Sequence, residues 1–415
     1  MADIYANSTI TIAASASTSP DMGLFRITDS KYVGRPMTNA PSFHVRYPLG
    51  HGGRDLPLFQ RGWAFQERIL SPRVLHFAEH ELIWECMEYE DCECGAMRLD
   101  SLKSPGEYTG GYFQKTIDGE WPATKSHCHP IRWWLLKDNR ERIAGIWSRL
   151  IRNYSQLELS KPNDIFPAIS GIAKSFGEAT GWEYIAGMWK EGLMQHLSWY
   201  TSPPAFRCKV WRAPTFSWAS LIFLKDDFYS DCIAYEHMHD IQDLATVVEA
   251  KCCPKGADPT GQLESGYIIL SGTIIQATVD QWWIKPLASS TQSSEPLTSP
   301  ETDDIPSSDM SVIRRRNRDA FTFAPDFYHE LEQGATVHCL KLLQATWTDK
   351  KHVSYLVLSK KNSTPWECNG RRGECEYERL GLMESQLEKD DFHPKIFEEE
   401  SPEHAIQHDV AVKII

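Results

Sequence analysis

A glutamine and a glutamate stand side by side in the largely apolar stretch "RGWAFQERILSPRVLHF", residues 61 to 77. A carboxylate in a partly apolar setting is suited to acid–base work, so Glu67 is a candidate catalytic residue. The structural interpretation is an ion pair between Glu67 and Arg61, Arg68 or Arg73, because buried carboxylates are normally paired. We favour the structural interpretation, since a carboxylate in such a setting is only a statistical indicator of catalysis.

Three neighbours of this pair could bind a ligand. Arg61 and Arg73 carry forked donors that suit a phosphate or a carboxylate, although each could equally serve Glu67 or backbone carbonyls. Trp63 offers a stacking face, but its place among apolar residues at helical spacing favours a core position. We therefore expect structural roles for all three side chains.

Cysteines and histidines form a second group with ligand chemistry. They lie in "ECMEYEDCECG" and in "HCH", which contribute Cys86, Cys92, Cys94, His127, Cys128 and His129. Zinc accepts such ligands, but the spacing matches neither paired C-x-x-C knuckles nor the zinc-finger pattern. The sequence favours free thiols and polar loops over a metal site, and we expect no cofactor.

Hydrophobic periodicity indicates the elements that position these residues. From Trp63 the apolar residues recur at helical spacing, with Gln66 near the centre of the apolar arc and Glu67 at its edge. Pro72 ends this helix, because proline disfavours helical backbone in the preceding residue. "RVLHF" and "ELIWEC", on either side of "AEH", predict a β-hairpin. Upstream, "MADIYANSTITIAASAS" predicts a short helix followed by a half-buried strand.

The rest of the chain changes character twice. "IRWWLLKDNRERIAGIWSRLIRNYSQ", "DIFPAISGIAKSFGEATG" and "YIAGMWKEGLMQHLSWY" have helical spacing, whereas later runs such as "GYIILSGTIIQATVDQWWI" are β-branched and aromatic. A Ser/Pro/Thr/Asp-rich tract interrupts this β region and predicts a disordered insertion. The predicted fold class is α+β, with a small α/β part at 1–90, a helical middle at 91–204, and a β-rich domain at 205–415 carrying the insertion at 286–318.

Composition excludes several classes of protein. The chain of 415 residues has a formal net charge of -13, which argues against phosphate-neutralising nucleic-acid binding. Eleven cysteines without a secretory signal favour reduced intracellular thiols. No apolar run approaches the roughly 18 residues that a membrane-spanning helix needs. We expect a soluble cytoplasmic protein that binds neither nucleic acid nor membrane.

The run "DLPLFQRGWAFQERILSPRVLHFAEHELIWEC" resembles the last motif of the fungal heterokaryon incompatibility (HET) domain. In that motif an Arg-Gly-Trp, here Arg61, Gly62 and Trp63, precedes a Gln-Glu, a Ser-Pro-Arg and a Trp-Glu-Cys. "MADIYANSTITIAASASTSPDMGLF" resembles the preceding block, and "RAPTFSWAS" and "YERLGL" resemble the region that follows the domain. The family's earlier blocks are absent from this sequence, so it resembles a HET protein that lacks the front half of the domain.

This resemblance implies a role in fungal non-self recognition and incompatibility cell death, with a protein partner. Residues 1–90 would form the C-terminal part of the HET domain. Two mechanisms are compatible with the resemblance. The chain is either a non-enzymatic interaction module, or an NAD-consuming effector related to the Toll/interleukin-1 receptor fold in which Glu67 is catalytic, or the inactive remnant of one. The sequence favours the module, because half of the presumed active domain is absent.

Overall fold

The fold is known from a computed structural model. It describes residues 1–49, 56–95, 139–202, 205–223, 231–234, 238–278, 311–314, 320–326, 335–347, 350–362, 365–373, 375–387 and 406–415. Helices and strands both occur, with strands dominating the C-terminal part, in agreement with the predicted α+β class. Two compact units are present: unit 1 comprises 1–184 with 258–262, and unit 2 comprises 185–257 with 263–415. Within the described ranges, no helix is long and apolar enough to span a bilayer.

Unit 1 contains most of the helices. Its α-helices are α1 (Ala2–Ala6), α2 (Gly62–Leu70), α3 (Arg140–Ser155) and α4 (Ser170–Thr180). Its strands are β1 (Thr11–Ala13), β2 (Arg35–Met37), β3 (Ala40–Val45), β4 (Arg73–Phe77), β5 (Leu82–Cys86) and β6 (Glu90–Cys92). Short 3₁₀ helices lie at Pro20–Met22, Ser30–Tyr32, Pro57–Gln60, Pro162–Ile165 and Pro167–Ile169.

The strands of unit 1 form a four-stranded sheet in the order β1-β4-β5-β6 and a separate β2-β3 hairpin. β1 runs parallel to β4, with Thr11 opposite Val74. β4 and β5 are antiparallel, with Arg73 opposite Cys86, so the predicted hairpin is confirmed. Alternate residues of a strand share a face, which places Val74 and Ile83 in the core.

Helix α2 lies where the periodicity predicts it and ends as predicted. Phe65 and Ile69 are buried on its apolar face. Ser71 has extended backbone angles, as expected of a residue before a proline, Pro72 here. The Ser71 hydroxyl donates to the carbonyl of Glu67 at 2.7 Å, which satisfies a carbonyl of the last helical turn.

Helices α3 and α4 complete the core of unit 1. The buried stripe of α3 recurs every three or four residues and consists of Ile143, Trp147, Leu150 and Tyr154. Trp147 packs edge-on against Phe176 of α4, with ring centroids 5.0 Å apart. Gly181, at φ 73°, ends α4 in the left-handed conformation that glycine tolerates best.

Unit 2 is built almost entirely of strands. Where the chain enters unit 2, a small hairpin of β7 (Tyr184–Ile185) and β8 (Met188–Trp189) precedes a 3₁₀ turn at Lys190–Gly192 and the short helix α5 (Leu193–His196). Strands then follow: β9 (Tyr200–Ser202), β10 (Phe206–Arg207), β11 (Leu221–Ile222), β12 (Asp231–Ala234), β13 (His239–Asp243), β14 (Thr246–Pro254) and β15 (Leu263–Thr278). The remainder are β16 (Ser311–Arg314), β17 (Ala320–Pro325), β18 (Thr336–Trp347), β19 (Lys350–Asn362), β20 (Trp366–Cys368), β21 (Arg371–Gly373), β22 (Glu376–Leu387) and β23 (Ile406–Ile414). A 3₁₀ helix at Trp218–Ser220 precedes β11.

Five long strands of unit 2 close into a barrel. β15 pairs with β18 and β23, β18 with β19, and β19 with β22, all antiparallel, while β22 and β23 pair in parallel. Closure leaves none of these five strands with a free edge along its paired length. The barrel core contains the fully buried Ile275, Cys339, Val357 and Met383.

The prediction of a third helical segment in "YIAGMWKEGLMQHLSWY" is wrong for most of its length. Ala186 and Gly187 both have positive φ, at 46° and 87°, and they turn the chain between β7 and β8. Two successive residues with positive φ produce a tight hairpin turn. Helical spacing therefore leads to an α-helix only at α5.

Several predictions fall outside the described residues. They include the "HCH" cluster and most of the insertion at 286–318. Within that predicted insertion, Ser311–Arg314 form β16, which pairs with β17.

Candidate functional site

Gln66, in the stretch that resembles the HET motif, is a buried polar residue with 3% of its surface exposed. Its Oε1 accepts a hydrogen bond of 2.5 Å from the backbone N–H of Gly171, the second residue of α4. The first N–H groups of a helix have no partner within the helix, so Gln66 supplies one. A Cβ on Gly171 would lie 2.5 Å from the Cβ of Ala2, so only glycine lets α1, α2 and α4 approach this closely. Gln66 therefore joins elements that are distant in sequence.

Glu67 lies half-buried on α2 and accepts a hydrogen bond from the hydroxyl of Tyr5 in α1. Burial, with this hydrogen bond and the charge of Glu67, raises the pKa of Tyr5 to about 12. The predicted ion pair is wrong: in the described part of the chain, Glu67 pairs with none of Arg61, Arg68 and Arg73. Arg68, the next residue along α2, pairs instead with Glu85 of β5.

Trp63 and Gly62 join the start of α2 to the segment that precedes α4. The indole Nε1 of half-buried Trp63 donates to Asp164 Oδ2 at 3.2 Å. The N–H of Gly62 donates to the carbonyl of Glu158 at 2.7 Å. A Cβ on Gly62 would lie 2.7 Å from Leu159 Cδ2, so a larger residue would displace the Leu159 side chain. Both residues thus act as packing and hydrogen-bonding contacts.

Arg61 and Arg73, the two predicted ligand-binding arginines, are both exposed. Arg61 immediately precedes α2, and Arg73 is the first residue of β4. Arg73 Nη1 lies 3.4 Å from the carbonyl oxygen of Thr9, a long contact. The structure does not bring either guanidinium to the carboxylate of Glu67. Sequence reasoning therefore grouped side chains that the fold separates.

A buried polar network lies beneath the hairpin, and sequence reasoning missed it. The guanidinium of Arg68 donates two hydrogen bonds to the carboxylate of Glu85, from Nε to Oε2 at 2.8 Å and from Nη2 to Oε1 at 2.7 Å. His76 Nε2 lies 3.2 Å from Glu85 Oε2, and His76 Nδ1 lies 3.1 Å from Ser15 Oγ. The ring of Phe59 packs edge-on against His76, 4.8 Å between centroids.

The order Ser15, His76 and Glu85 is that of a catalytic triad, but the arrangement is unsuited to that chemistry. The three residues are 0%, 2% and 2% exposed, so a substrate cannot reach the serine oxygen. A nucleophile must be accessible and must leave its base free to exchange protons with the reacting groups. We interpret the network as structural: it joins α2 to the β4-β5 hairpin, and Arg68 compensates the charge of Glu85.

One signal in the sequence could have found this network. Val74 and His76 alternate along β4, and Ile83 and Glu85 alternate along β5, so the polar residues share the buried face with the apolar ones. Two polar side chains on the buried face of one hairpin predict mutual pairing, because buried polar groups need partners.

The structure groups the cysteines differently from the sequence analysis. The sulfurs of Cys92 and Cys94 lie 3.2 Å apart, and their ligand atoms and a carboxylate oxygen of Glu81 all lie within 4.8 Å of one another. Cys86 stays apart, with its thiol directed at the carbonyl of Tyr89 at 3.4 Å. Glu81 was not anticipated, because it lies in the turn between β4 and β5 and reaches the cysteines only through the strand pairing.

Unit 2 contains a half-open cavity of about 610 Å³. Its charged lining residues are Arg207, Lys209, Arg212, Lys361 and Lys413 against Glu264 and Glu378. Lys413 also donates to Glu376 at 2.6 Å and lies 4.7 Å from the ring centroid of Tyr267. This excess of cations favours anions over cations as occupants.

A hydrogen bond connects the cavity lining to strand β22 of the barrel. Arg207 Nη2 donates to the carbonyl of Arg379 at 2.8 Å. Burial lowers the pKa of Arg207, and the carboxylates of Glu378 and Asp326 counter this only in part. An anion bound beside Arg207 would raise the pKa of its guanidinium, as these carboxylates do.

No protein-family model, curated protein or solved structure matches this chain. Its chemistry must therefore be inferred from its own residues.

Proposed function

We propose that this chain is a non-enzymatic interaction module of a fungal heterokaryon incompatibility response, acting in the cytoplasm through a protein partner. The proposal starts from the resemblance of residues 55–86 to the HET motif. The observation that carries it is an unusual concentration of exposed apolar side chains in the first 47 residues.

Of the sixteen large apolar residues that are exposed in the described chain, twelve lie in this segment. We call them the N-terminal apolar surface: Met1, Ile4, Ile10, Ile12, Met22, Phe25, Ile27, Val33, Met37, Phe43, Val45 and Tyr47. Ile27 is 97% exposed and Phe25 80%. In soluble proteins a large exposed apolar patch marks an interaction site, and we propose that these side chains contribute to one.

The edge of the sheet adds a second means of binding. β1 is one of the two outer strands of the order β1-β4-β5-β6, and Ile12 on β1 is 58% exposed. An edge strand presents backbone donors and acceptors to which a partner's strand can add. An apolar surface that includes an edge strand suits a protein partner.

The partners of the motif residues favour the module over the enzyme. Gln66 and Trp63 hydrogen-bond to Gly171 and Asp164, so they fix the fold of unit 1. Glu67 accepts from Tyr5. A general acid–base residue must be able to reach the proton that it transfers, whereas each of these side chains already serves the packing of unit 1.

The proposal is tested in fungal cells undergoing the incompatibility response, with the full chain expressed as wild type or as a surface variant. Ile12→Lys on the edge strand and Ile27→Ser should weaken the cell-death response, because each removes apolar contact area. The control is Val210→Ser, which removes an exposed apolar side chain from unit 2; Val210 is 67% exposed, between Ile12 at 58% and Ile27 at 97%.

Exposed positions tolerate substitution to within about 0.5 kcal/mol, so protein levels should be equal in all variants. An unchanged response in Ile12→Lys and Ile27→Ser, at equal protein levels, would count against an interaction through the N-terminal apolar surface.

A further inference from the structure

Three metal-ligating side chains converge beside the outer strand β6. Glu81 lies in the turn that precedes β5, Cys92 is the last residue of β6, and Cys94 follows two positions later. The two sulfurs are 3.2 Å apart, and both lie within 4.8 Å of a carboxylate oxygen of Glu81. The backbone N–H of Cys94 donates to Glu81 Oε2 at 3.0 Å, which holds the loop over the carboxylate.

The donor types suit zinc. Zinc binds thiolate sulfur at about 2.3 Å and carboxylate oxygen at about 2.0–2.2 Å, most often with tetrahedral geometry. At a tetrahedral angle two such sulfurs lie about 3.8 Å apart, so the pair must separate by about 0.6 Å. A small rotation of the Cys94 side chain, which is only half-buried, can provide this.

The surroundings also favour a bound cation. Cys92 is 7% exposed and Glu81 is 9% exposed. Cys92 packs against the apolar side chains of Leu56, Ala78 and Ile83. Electrostatic attraction between a cation and its ligands is stronger in such surroundings than in water.

We propose that Glu81, Cys92 and Cys94 form a zinc site whose fourth coordination position is open to water. On binding, both thiols release their protons to solvent, two Zn–S bonds and one Zn–O bond form, and no atom changes oxidation state. The ion joins the turn between β4 and β5 to the end of β6. This proposal goes beyond the interaction module and does not depend on it.

The test measures zinc bound to the full-length, reduced chain after dialysis against micromolar zinc. We expect a zinc ion in the wild type that Cys92→Ser and Cys94→Ser each lose. Cys86→Ser is the matched control, because Cys86 lies in the same hairpin with its thiol directed at Tyr89. It should retain the zinc of the wild type.

Glu81→Gln keeps the shape of the side chain and removes its charge. It should weaken zinc binding by about tenfold or more, since even residues that only support a ligand are worth 10- to 100-fold. Substitution of zinc by cobalt gives a second measurement, because the thiolate-to-cobalt charge-transfer absorption of the wild type should be lost in either serine variant.

The remaining cysteines of the chain are present in every variant, so the difference from wild type is decisive. Equal zinc content in the wild type and the Cys92→Ser/Cys94→Ser variant overturns the proposal, as does a wild type without bound zinc. Should a serine variant not fold, Glu81→Gln decides: zinc affinity equal to that of the wild type overturns the proposal. None of these results bears on the cell-death response.

Discussion

Replacing Arg379 by methionine should destabilise unit 2 severely. Arg379 is 0% exposed and its partner Asp326 is 1% exposed. Nε of Arg379 lies 2.7 Å from Asp326 Oδ2, and Nη2 lies 3.1 Å from Oδ1. The same guanidinium donates to the carbonyls of Leu197 and Trp199, and its carbon lies 3.4 Å from the Trp199 ring centroid. One side chain thus satisfies a buried carboxylate and two backbone acceptors.

The magnitude follows from what the variant leaves behind. Breaking a buried ion pair by removing one partner costs about 3–5 kcal/mol, because the other charge stays buried without compensation. We therefore expect Arg379→Met to lower the free energy of unfolding of unit 2 by at least about 3 kcal/mol. Arg379→Met/Asp326→Leu should be more stable than Arg379→Met, because the uncompensated carboxylate is gone.

Cys339 provides an assay specific to unit 2. It is fully buried in the barrel, and burial raises the pKa of its thiol to about 12, so it should be alkylated only when the barrel opens. Pulsed alkylation across a urea series, read by mass spectrometry, gives the unfolding midpoint of the barrel. Arg379→Met should shift this midpoint to much lower urea.

The matched control is Arg372→Met. Arg372 pairs with Glu367 at 3.1 Å, but the two side chains are 79% and 59% exposed. Exposed pairs contribute about 0–1 kcal/mol, so this control should unfold close to the wild type. Midpoints for Arg379→Met and Arg372→Met that differ by less than about 1 kcal/mol in unfolding free energy would refute the reasoning.

Three further predictions concern single side chains. Gln66→Ala should destabilise unit 1 by about 1–3 kcal/mol in urea unfolding, because it leaves a buried N–H of α4 without its acceptor, whereas the exposed Gln156→Ala should have little effect. The stabilisation tied to the Tyr5 hydroxyl, whose pKa is raised to about 12, should be complete below about pH 10 and lost as the pH rises toward 12. In thermal unfolding measured across this pH range, Tyr5→Phe should lose less stability than the wild type as the pH rises. An equal loss in both proteins would contradict the prediction. Gly187→Ala should destabilise unit 2 by more than about 1 kcal/mol in the alkylation assay, because φ is 87° and the new Cβ would lie 2.8 Å from an indole nitrogen.

Local elements were predictable wherever short-range chemistry determines them. Helix α2 follows the spacing from Trp63, and its end follows from Pro72. The β4-β5 hairpin follows from two β-branched and aromatic runs around a short polar turn. The wrong helix after Tyr184 has the opposite cause, since Ala186 takes a positive φ that its residue type rarely adopts.

The partners in the candidate site were less predictable, because they depend on how distant segments pair. Gln66 and its donor in α4 are 105 residues apart, and no local pattern specifies that contact. The sequence analysis grouped Glu67 with nearby arginines, yet Arg68 of α2 pairs with Glu85 of β5. Glu81 approaches Cys92 only because β5 and β6 pair. The closure of the barrel in unit 2 likewise needs the pairing of β15 with β23, which no single strand pattern reveals.

We propose that the stretch from Arg61 to Cys86 holds the fold of unit 1 and that Glu67 does not catalyse. The most direct test is the NAD content of fungal cells during the incompatibility response, with equal amounts of wild-type chain or Glu67→Gln. We predict the same NAD content and the same extent of cell death for both forms. A fall in NAD with the wild type that Glu67→Gln abolishes, with both proteins folded, would contradict the claim and identify Glu67 as a catalytic residue.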